Sequence, residues 1–442
     1  MEKLLPARVI AGEEGDTRSL YELMAEHHVP AVSIALVDDN RIVAARSFGW
    51  ADPQARVPAH LDTRFQAASI SKSVAAYALM ALAEKGAVDV DVPVDSMLTT
   101  WQLPAGEHDA PTLRTLLSHR AGTNVSGFRG YAKGEVLPSA VGVLAGEGNS
   151  DAVSVTMPPG SFRYSGGGYT IAQQAVEDHI NVLFETLMAQ NVLGPLEMIH
   201  STYEQPAFDA GPSFARAHDS AGRAIEGGYH VYPELAAAGL WSTPSDLAKF
   251  LIAANETLSG ADAGPVSTDG LRAMTAPPAT PPLYGLGFTL RGEGEDFHFG
   301  HSGSNVGFKS LMLSFPERGE ALVIMANGEQ GRELLVPIVN AVSAQMGWGG
   351  YDTEVLVPAP ADTTGFAAIA GRYRMGEDVY VFEMKDGAVR MTGPDGKSER
   401  VTLLADGRLY LHGQDALPEV VRNPSGTVTG LRFQGQDIPK ID

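Results

Sequence analysis

Short apolar stretches alternate with polar turns along most of the chain, and one stretch stands apart. From Val74 to Ala83 every residue is apolar, and Glu84-Lys85-Gly86 closes the run. Ala, Leu and Met favour helix, and a glycine is a fitting stop. A surface helix would carry a polar face. This one carries none, which predicts a helix buried in a large core. It grows from Ala67-Ala68-Ser69-Ile70-Ser71-Lys72.

The rest of the pattern arranges itself around that helix. Asp16 and Thr17 suit the cap of a helix reaching about His28, with Leu20, Leu23 and Met24 on one face. Residues 31–37 and 41–50, joined at Asp38-Asp39-Asn40, read as a β-hairpin. Helices are predicted over 112–122 and 169–188, with a Gly-, Ser- and Pro-rich loop region between them. Thr243-Pro244-Ser245-Asp246 supplies a cap, a first-turn proline and an acid, and opens a helix to Leu258. Strands follow at 284–290, 297–300, 306–315 and 321–326, with the tightest turn at 317–320, then a closing helix at 334–346. Early strands, central helices and late strands cannot form a parallel array. They predict an α/β (α+β) fold, with one antiparallel sheet built from both ends, flanked by helices and carrying a helical insertion.

Beyond Trp348 the pattern changes. The stretch to Thr364, with Pro358 and Pro360, reads as a linker. After it come only short strands, at 379–384, 388–391, 401–404, 409–412, 419–422 and 428–433. Asp386-Gly387, Asp395-Gly396 and Asp406-Gly407 supply turns between some of them. This tail is expected to be a small all-β barrel or sandwich. The expected division is 1–347, a linker at 348–364, and 365–442.

Composition narrows the function. A chain of 442 residues suggests more than one domain, and 44% apolar with 19% charged residues is the balance of a soluble globular protein. A net charge of −21 argues against nucleic acid and anionic membrane as partners, because binding phosphates needs a basic surface. The absence of cysteine removes disulfides and thiolate metal sites. The first ten residues lack the apolar core of a signal peptide, and no stretch reaches the ~20 apolar residues of a membrane helix. As written the protein is expected in the cytoplasm, or in the periplasm or outside the cell if a leader has been removed. Oligomeric state is not legible.

The chemistry begins at the buried helix. Ser69 and Lys72 are three residues apart, hence neighbours on one helix face, and this is the only Ser-x-x-Lys in the chain. A charge on the first turn of a buried helix is costly without a purpose. A hydroxyl, an amine able to take its proton, and the positive end of a helix dipole make a serine nucleophile with a built-in base. Tyr164-Ser165-Gly166 lies in a glycine-rich stretch before a predicted helix, and a phenol near a cation such as Lys72 can shuttle protons. His301-Ser302-Gly303-Ser304 lies between two predicted strands. Its glycine would let a substrate approach a strand edge, and a backbone N–H there could complete an oxyanion hole. Read singly, Tyr164 is an ordinary loop tyrosine and His301 an ordinary turn histidine. Their order after Ser-x-x-Lys is what carries the signal.

With these three elements in place the sequence resembles the serine β-lactamase-like superfamily: class C β-lactamases, D-alanyl-D-alanine carboxypeptidases, D-aminopeptidases and related esterases. Its order of motifs is Ser-x-x-Lys, Tyr-x-Asn, then Lys/His-Thr/Ser-Gly. Arg64 to Ser69, Leu116-Leu117-Ser118-His119 and Gly239 to Leu247 look familial too. The resemblance covers about residues 30–346; the tail resembles, more loosely, appended lipocalin-like barrels. It implies that Ser69 is acylated and that Lys72 and Tyr164 share acid and base work. It implies further that the amides of Ser69 and Ser304 form the oxyanion hole, while His301 holds the far end of the substrate or steadies Tyr164. No metal or cofactor is implied, and the partner is a small-molecule ester or amide.

Two departures bear on the substrate. Gly166 stands where lactamases carry an asparagine, and His301 where they carry a lysine that attracts the β-lactam carboxylate. Histidine is mostly neutral at pH 7. An esterase or a peptidase acting on small D-amino-acid compounds therefore fits better than an efficient β-lactamase. The rival readings are a penicillin-binding protein or weak β-lactamase, and a catalytically idle binding module. No Gly-x-Ser-x-Gly elbow and no His-Glu-x-x-His zinc helix offers another chemistry.

Overall fold

A computed structural model describes residues 3–4, 8–13, 17–106, 108–208, 210–360, 363–376, 378–385, 388–394, 396–412, 416–433 and 436–441. In it the first helix, α1 (Leu20–Glu26), is opened by Ser19 rather than by Asp16 or Thr17. The Ser19 hydroxyl accepts the Glu22 N–H while the Glu22 carboxylate reaches back, closing a capping box. Asp16 lies outside the described residues. The hairpin forms as β1 (Ala31–Asp38) and β2 (Arg41–Asp52). Asp39 and Asn40 both take left-handed backbone, at φ 48° and 53°, the geometry that joins two twisted strands by two residues.

The apolar run becomes α2 (Ile70–Glu84), with every side chain from Ile70 to Leu82 buried. Among the helices that follow are α3 (Leu113–Leu117), α4 (Gly166–Ile180), α5 (Leu235–Ala238) and α6 (Pro244–Leu258). Helix α3 is shorter than the 112–122 expected. The single helix expected over 169–188 divides at Asn181, which is left-handed at φ 56° and ends α4; Phe184–Met188 is a separate helix. Thr243 caps α6, with Pro244 in its first turn.

The late strands return to the hairpin. To β1 and β2 are added β3 (Val57–Pro58), β4 (Thr289–Arg291), β5 (His298–Asn305), β6 (Phe308–Phe315) and β7 (Glu320–Ala326), in the order β3-β2-β1-β7-β6-β5-β4. Strand β1 lies antiparallel to β7, with Ile34 opposite Ile324, so the two ends of the region share one sheet as the pattern predicts. Helix α6 packs on β1 and β7, and α2 on α5 and β5. Helix α7 (Arg332–Met346) follows β7.

Two compact units emerge. One comprises 19–339 with 348–350; the other comprises 1–18, 340–347 and 351–442. These boundaries differ from 1–347, 348–364 and 365–442. The physical reason is a parallel pairing of Arg8–Ile10 with Glu354–Leu356, which builds both segments into the second unit. Ile10 and Leu356 are buried there with Leu404 and Tyr410. The tail itself is antiparallel throughout: five strands from Gly371–Met375 to Leu409–Leu411, then three, Glu419–Arg422, Val428–Phe433 and Gln436–Pro439. Single bridges at Arg408–Glu419 and Tyr373–Lys440 join the two sheets, around a core that includes Tyr373, Phe382 and Leu431. A helix, Thr363–Ile369, precedes them and was not expected. Asp386-Gly387 and Asp395 lie outside the described residues, whereas Gly407 makes its turn at φ 86°. Among the described residues no helix is long and apolar enough to cross a membrane.

Candidate active site

Ser69 owes its position to a strained residue before it. Phe65–Gln66 pairs with Trp241–Ser242, and the chain then turns into α2 through Ala68, a non-glycine residue at φ 51°. Left-handed backbone in such a residue costs about 1–2 kcal/mol. The turn is held by the Ser71 hydroxyl donating to the Ala68 carbonyl at 2.5 Å and the Ser310 hydroxyl donating to the Ala67 carbonyl at 2.8 Å. Ser69 stands at the head of α2 but does not cap it. Its hydroxyl is left for Lys72, whose Nζ lies 3.1 Å from Ser69 Oγ and donates to the Ala237 carbonyl at 2.7 Å. Ser69 is partly open between buried neighbours, whereas Lys72 is only 2% exposed. A buried amine with a carbonyl and a hydroxyl as partners, and no carboxylate among them, is set for proton transfer rather than for an ion pair.

Tyr164 closes the third side. Lys72 Nζ lies 5.1 Å from the centre of its ring and 5.7 Å from that of Tyr169. Gly166 to Gly168 are not loop residues, as expected, but the first turn of α4, capped by the Ser165 hydroxyl accepting the Gly168 N–H. Their glycines answer a packing need: a Cβ on Gly166 would meet the Phe128 ring at 3.0 Å, and one on Gly167 the Val153 side chain at 2.9 Å. His119 fixes Tyr164 from behind. Its Nδ1 accepts the Ser165 N–H at 3.1 Å, and its ring lies 4.2 Å from that of Tyr164, centre to centre. Burial, then Lys72 and His301, hold His119 well below the ordinary histidine range, so the imidazole is neutral.

The His301-Ser302-Gly303-Ser304 segment lies inside β5, not between two strands. Pairing with β6 runs from Phe299 to Asn305, so the motif is zipped into the sheet. On its other side β4 reaches only to Gly300. From His301 onward that edge is free, with Ser302 and Ser304 exposed, and alternate amides of an unpaired edge face outward. Gly303 permits close approach to the turn carrying Ser69: a Cβ there would lie 2.2 Å from Ser310 Oγ and 2.3 Å from the Ala67 carbonyl oxygen. His301 is buried and fully engaged. Its Nδ1 meets the Ser302 carbonyl at 2.6 Å and therefore carries the proton; its Nε2 then accepts from the Tyr284 hydroxyl at 3.1 Å. Burial, then Lys72, push its pKa down to about 3, against the pull of the Ser302 carbonyl.

All six residues expected at the site, Ser69, Lys72, Tyr164, His301, Gly303 and Ser304, line one pocket of about 510 Å³. Sequence reasoning missed other parts of the wall: Phe128, Phe162, Leu283, Tyr284 and Asn305. Asn305 donates to Gln66 Oε1 at 2.8 Å and ties β5 to the strand before Ser69. These residues lie in no motif, and the Ala237 partner of Lys72 is a backbone carbonyl, which leaves no trace in sequence. Among the described residues no three His, Asp or Glu come together as a metal site would need.

The family model described as Beta-lactamase matches residues 18–342. Protein flp of Staphylococcus aureus (strain MW2) is 22% identical over 336 residues, 71% of this chain and 63% of that protein, so the chain spans less than two thirds of that relative. The octameric penicillin-binding protein homologue from Pyrococcus abyssi superposes with a TM-score of 0.65 at 23% identity, covering 95% of this chain and 98% of that one. A D-stereospecific amidohydrolase from Streptomyces superposes at 0.58 with 19% identity, over 71% of this chain and 95% of that one. At these identities the structural likeness concerns the fold.

Proposed function

The chain belongs to the beta-lactamase family, and from that premise we propose that it is a serine hydrolase acting through an acyl-enzyme on small esters or amides, of esterase or D-amino-acid peptidase type. The observation that carries this is the 3.1 Å contact of Lys72 Nζ with Ser69 Oγ at the wall of an open pocket. Ser69 Oγ attacks the carbonyl carbon as Lys72 takes its proton, and the oxyanion is met by the amides of Ser69 and Ser304. The proton passes by way of Tyr164 to the leaving oxygen or nitrogen as its bond to carbon breaks. Water then repeats the sequence on the acyl-enzyme and releases the acid.

Short-chain nitrophenyl esters, D-amino-acid nitroanilides and nitrocefin, with a fluorophosphonate as covalent probe, test the reading. Turnover of an ester or nitroanilide and a single adduct on Ser69 are expected, and Ser69→Ala loses both, on the order of 10⁶ in kcat. An adduct without turnover of any of them would favour a penicillin-binding role. Activity in Ser69→Ala within about tenfold of wild type would refute the mechanism.

A further inference from the structure

The wall of the pocket is almost without charge. Of the residues that line it, all of them described, Lys72 is the single Lys, Arg, Asp or Glu. Lys72 is committed at the reacting centre, where its Nζ is engaged with Ser69 Oγ and the Ala237 carbonyl. Elsewhere the wall is uncharged, partly apolar at Phe128, Phe162 and Leu283 and partly neutral polar at Ser126, Thr289 and Asn305. A carboxylate on the substrate would have to give up its water here with no fixed counter-charge to receive it.

His301 is the one lining side chain other than Lys72 able to become a cation, and Tyr284 occupies it. With Nδ1 donating to the Ser302 carbonyl at 2.6 Å, Nε2 must accept, and the Tyr284 hydroxyl at 3.1 Å supplies the proton. Protonation of Nε2 would break that bond and place a charge in a ring that is 4% exposed, near Lys72. Tyr284 is itself held among rings: its centre lies 4.8 Å from that of His119 and 5.7 Å from that of Phe162. It is 2% exposed, so it cannot swing away and free the imidazole at small cost.

Resting on the hydrolase reading above, we infer that Tyr284 is a specificity-determining residue: by donating to His301 it keeps that position neutral and filled, and the site selects esters or amides that carry no carboxylate. Discrimination comes from desolvation without compensation, because a carboxylate that loses its water and finds no partner carries the full cost of its burial. It separates this site from one built to hold the free carboxylate of a β-lactam or of a peptide C-terminus.

The test is a ratio within matched pairs, which damage to the fold would leave unmoved. One pair is the acetate ester of 3-hydroxybenzoic acid and the same ester with the acid methylated. The other is mono-4-nitrophenyl glutarate and 4-nitrophenyl butyrate. In the wild-type chain kcat/KM for the charged member of each pair is expected to fall at least about tenfold below its neutral partner. His301→Lys should raise the charged-to-neutral ratio about ten- to a hundredfold in at least one pair. Tyr284→Phe, which frees Nε2, should raise it in the same pair by less. Equal rates for charged and neutral esters in the wild type, or ratios unmoved in both variants, would overturn the assignment. A chain that turns over no ester and takes no fluorophosphonate on Ser69 would instead remove the hydrolase reading, and this one with it.

Discussion

Gly303→Ala is the smallest change that should separate the two halves of the site. The glycine lies on β5 against the turn that delivers Ser69, and an added methyl would sit 2.3 Å from the Ala67 carbonyl oxygen and 2.2 Å from Ser310 Oγ. Ser310 can rotate away, at the expense of its bond to the Ala67 carbonyl. The carbonyl cannot, because Ala67 is fixed by its own N–H donating to Leu240 at 2.8 Å. Strand and turn must therefore part by roughly 0.7 Å to reach even the 3.0 Å that real Cβ contacts scarcely go below. Overpacking of this kind costs about 1–3 kcal/mol of stability. Displacement near 1 Å between a nucleophile and its electrostatic partners costs about a hundredfold in rate. The expected result is a folded protein whose kcat on a nitrophenyl ester falls about a hundredfold, with KM changed far less. Adding Ser310→Gly should recover part of the stability but little of the rate, since the carbonyl clash remains. Thermal unfolding and burst kinetics measure the two separately. A Gly303→Ala protein with wild-type kcat would refute the argument that this approach positions the oxyanion donors.

Lys72→Arg should lower kcat/KM by about 10²–10⁴, because arginine stays charged and cannot take the Ser69 proton; an ester assay within about tenfold of wild type would remove Lys72 as base. Glu234 is fully buried, its carboxyl oxygens have no partner in another residue, and burial raises its pKa to about 7, its own amide opposing. The folded state thus keeps a proton that the unfolded chain releases near 4.5, so this contribution to stability is full below that pH and lost as pH rises to about 7. Glu234→Gln should then be more stable than wild type at pH 8 by on the order of 3 kcal/mol, with little difference near pH 4.5, and parallel Tm–pH curves for the two proteins would contradict it. Residues 19–350 expressed alone should fold and still take a fluorophosphonate on Ser69; insolubility or loss of labelling, with the full chain active, would show that the two units share one core.

What sequence could settle by itself was local. The buried helix was legible because ten apolar residues without a polar face admit no other solution, and Ser-x-x-Lys at its head because spacing on a helix is fixed by 3.6 residues per turn. The hairpin at Asp39-Asn40 and the cap at Thr243 were legible for the same reason: a few side chains decide the backbone there. The gathering of Ser69, Tyr164 and His301 was approachable from the order of their motifs, since that order survives where distances are unknown.

Other features were decided by tertiary structure. His301 was placed in a turn because Gly and Ser surround it, yet pairing with β6 overrides that local preference and makes it strand. Gly166 to Gly168 read as loop, yet the Ser165 cap and close approach to Phe128 and Val153 make them helix. The strand Glu354–Leu356 sits in a stretch that reads as linker, because its partner Arg8–Ile10 lies at the far end of the chain. The state of the imidazole was beyond sequence altogether. A histidine code says only that a ring titrates near neutrality. Burial, a carbonyl on one nitrogen and the Tyr284 hydroxyl on the other decide that this ring stays neutral, and those partners meet only when β5 and the chain before β4 fold together.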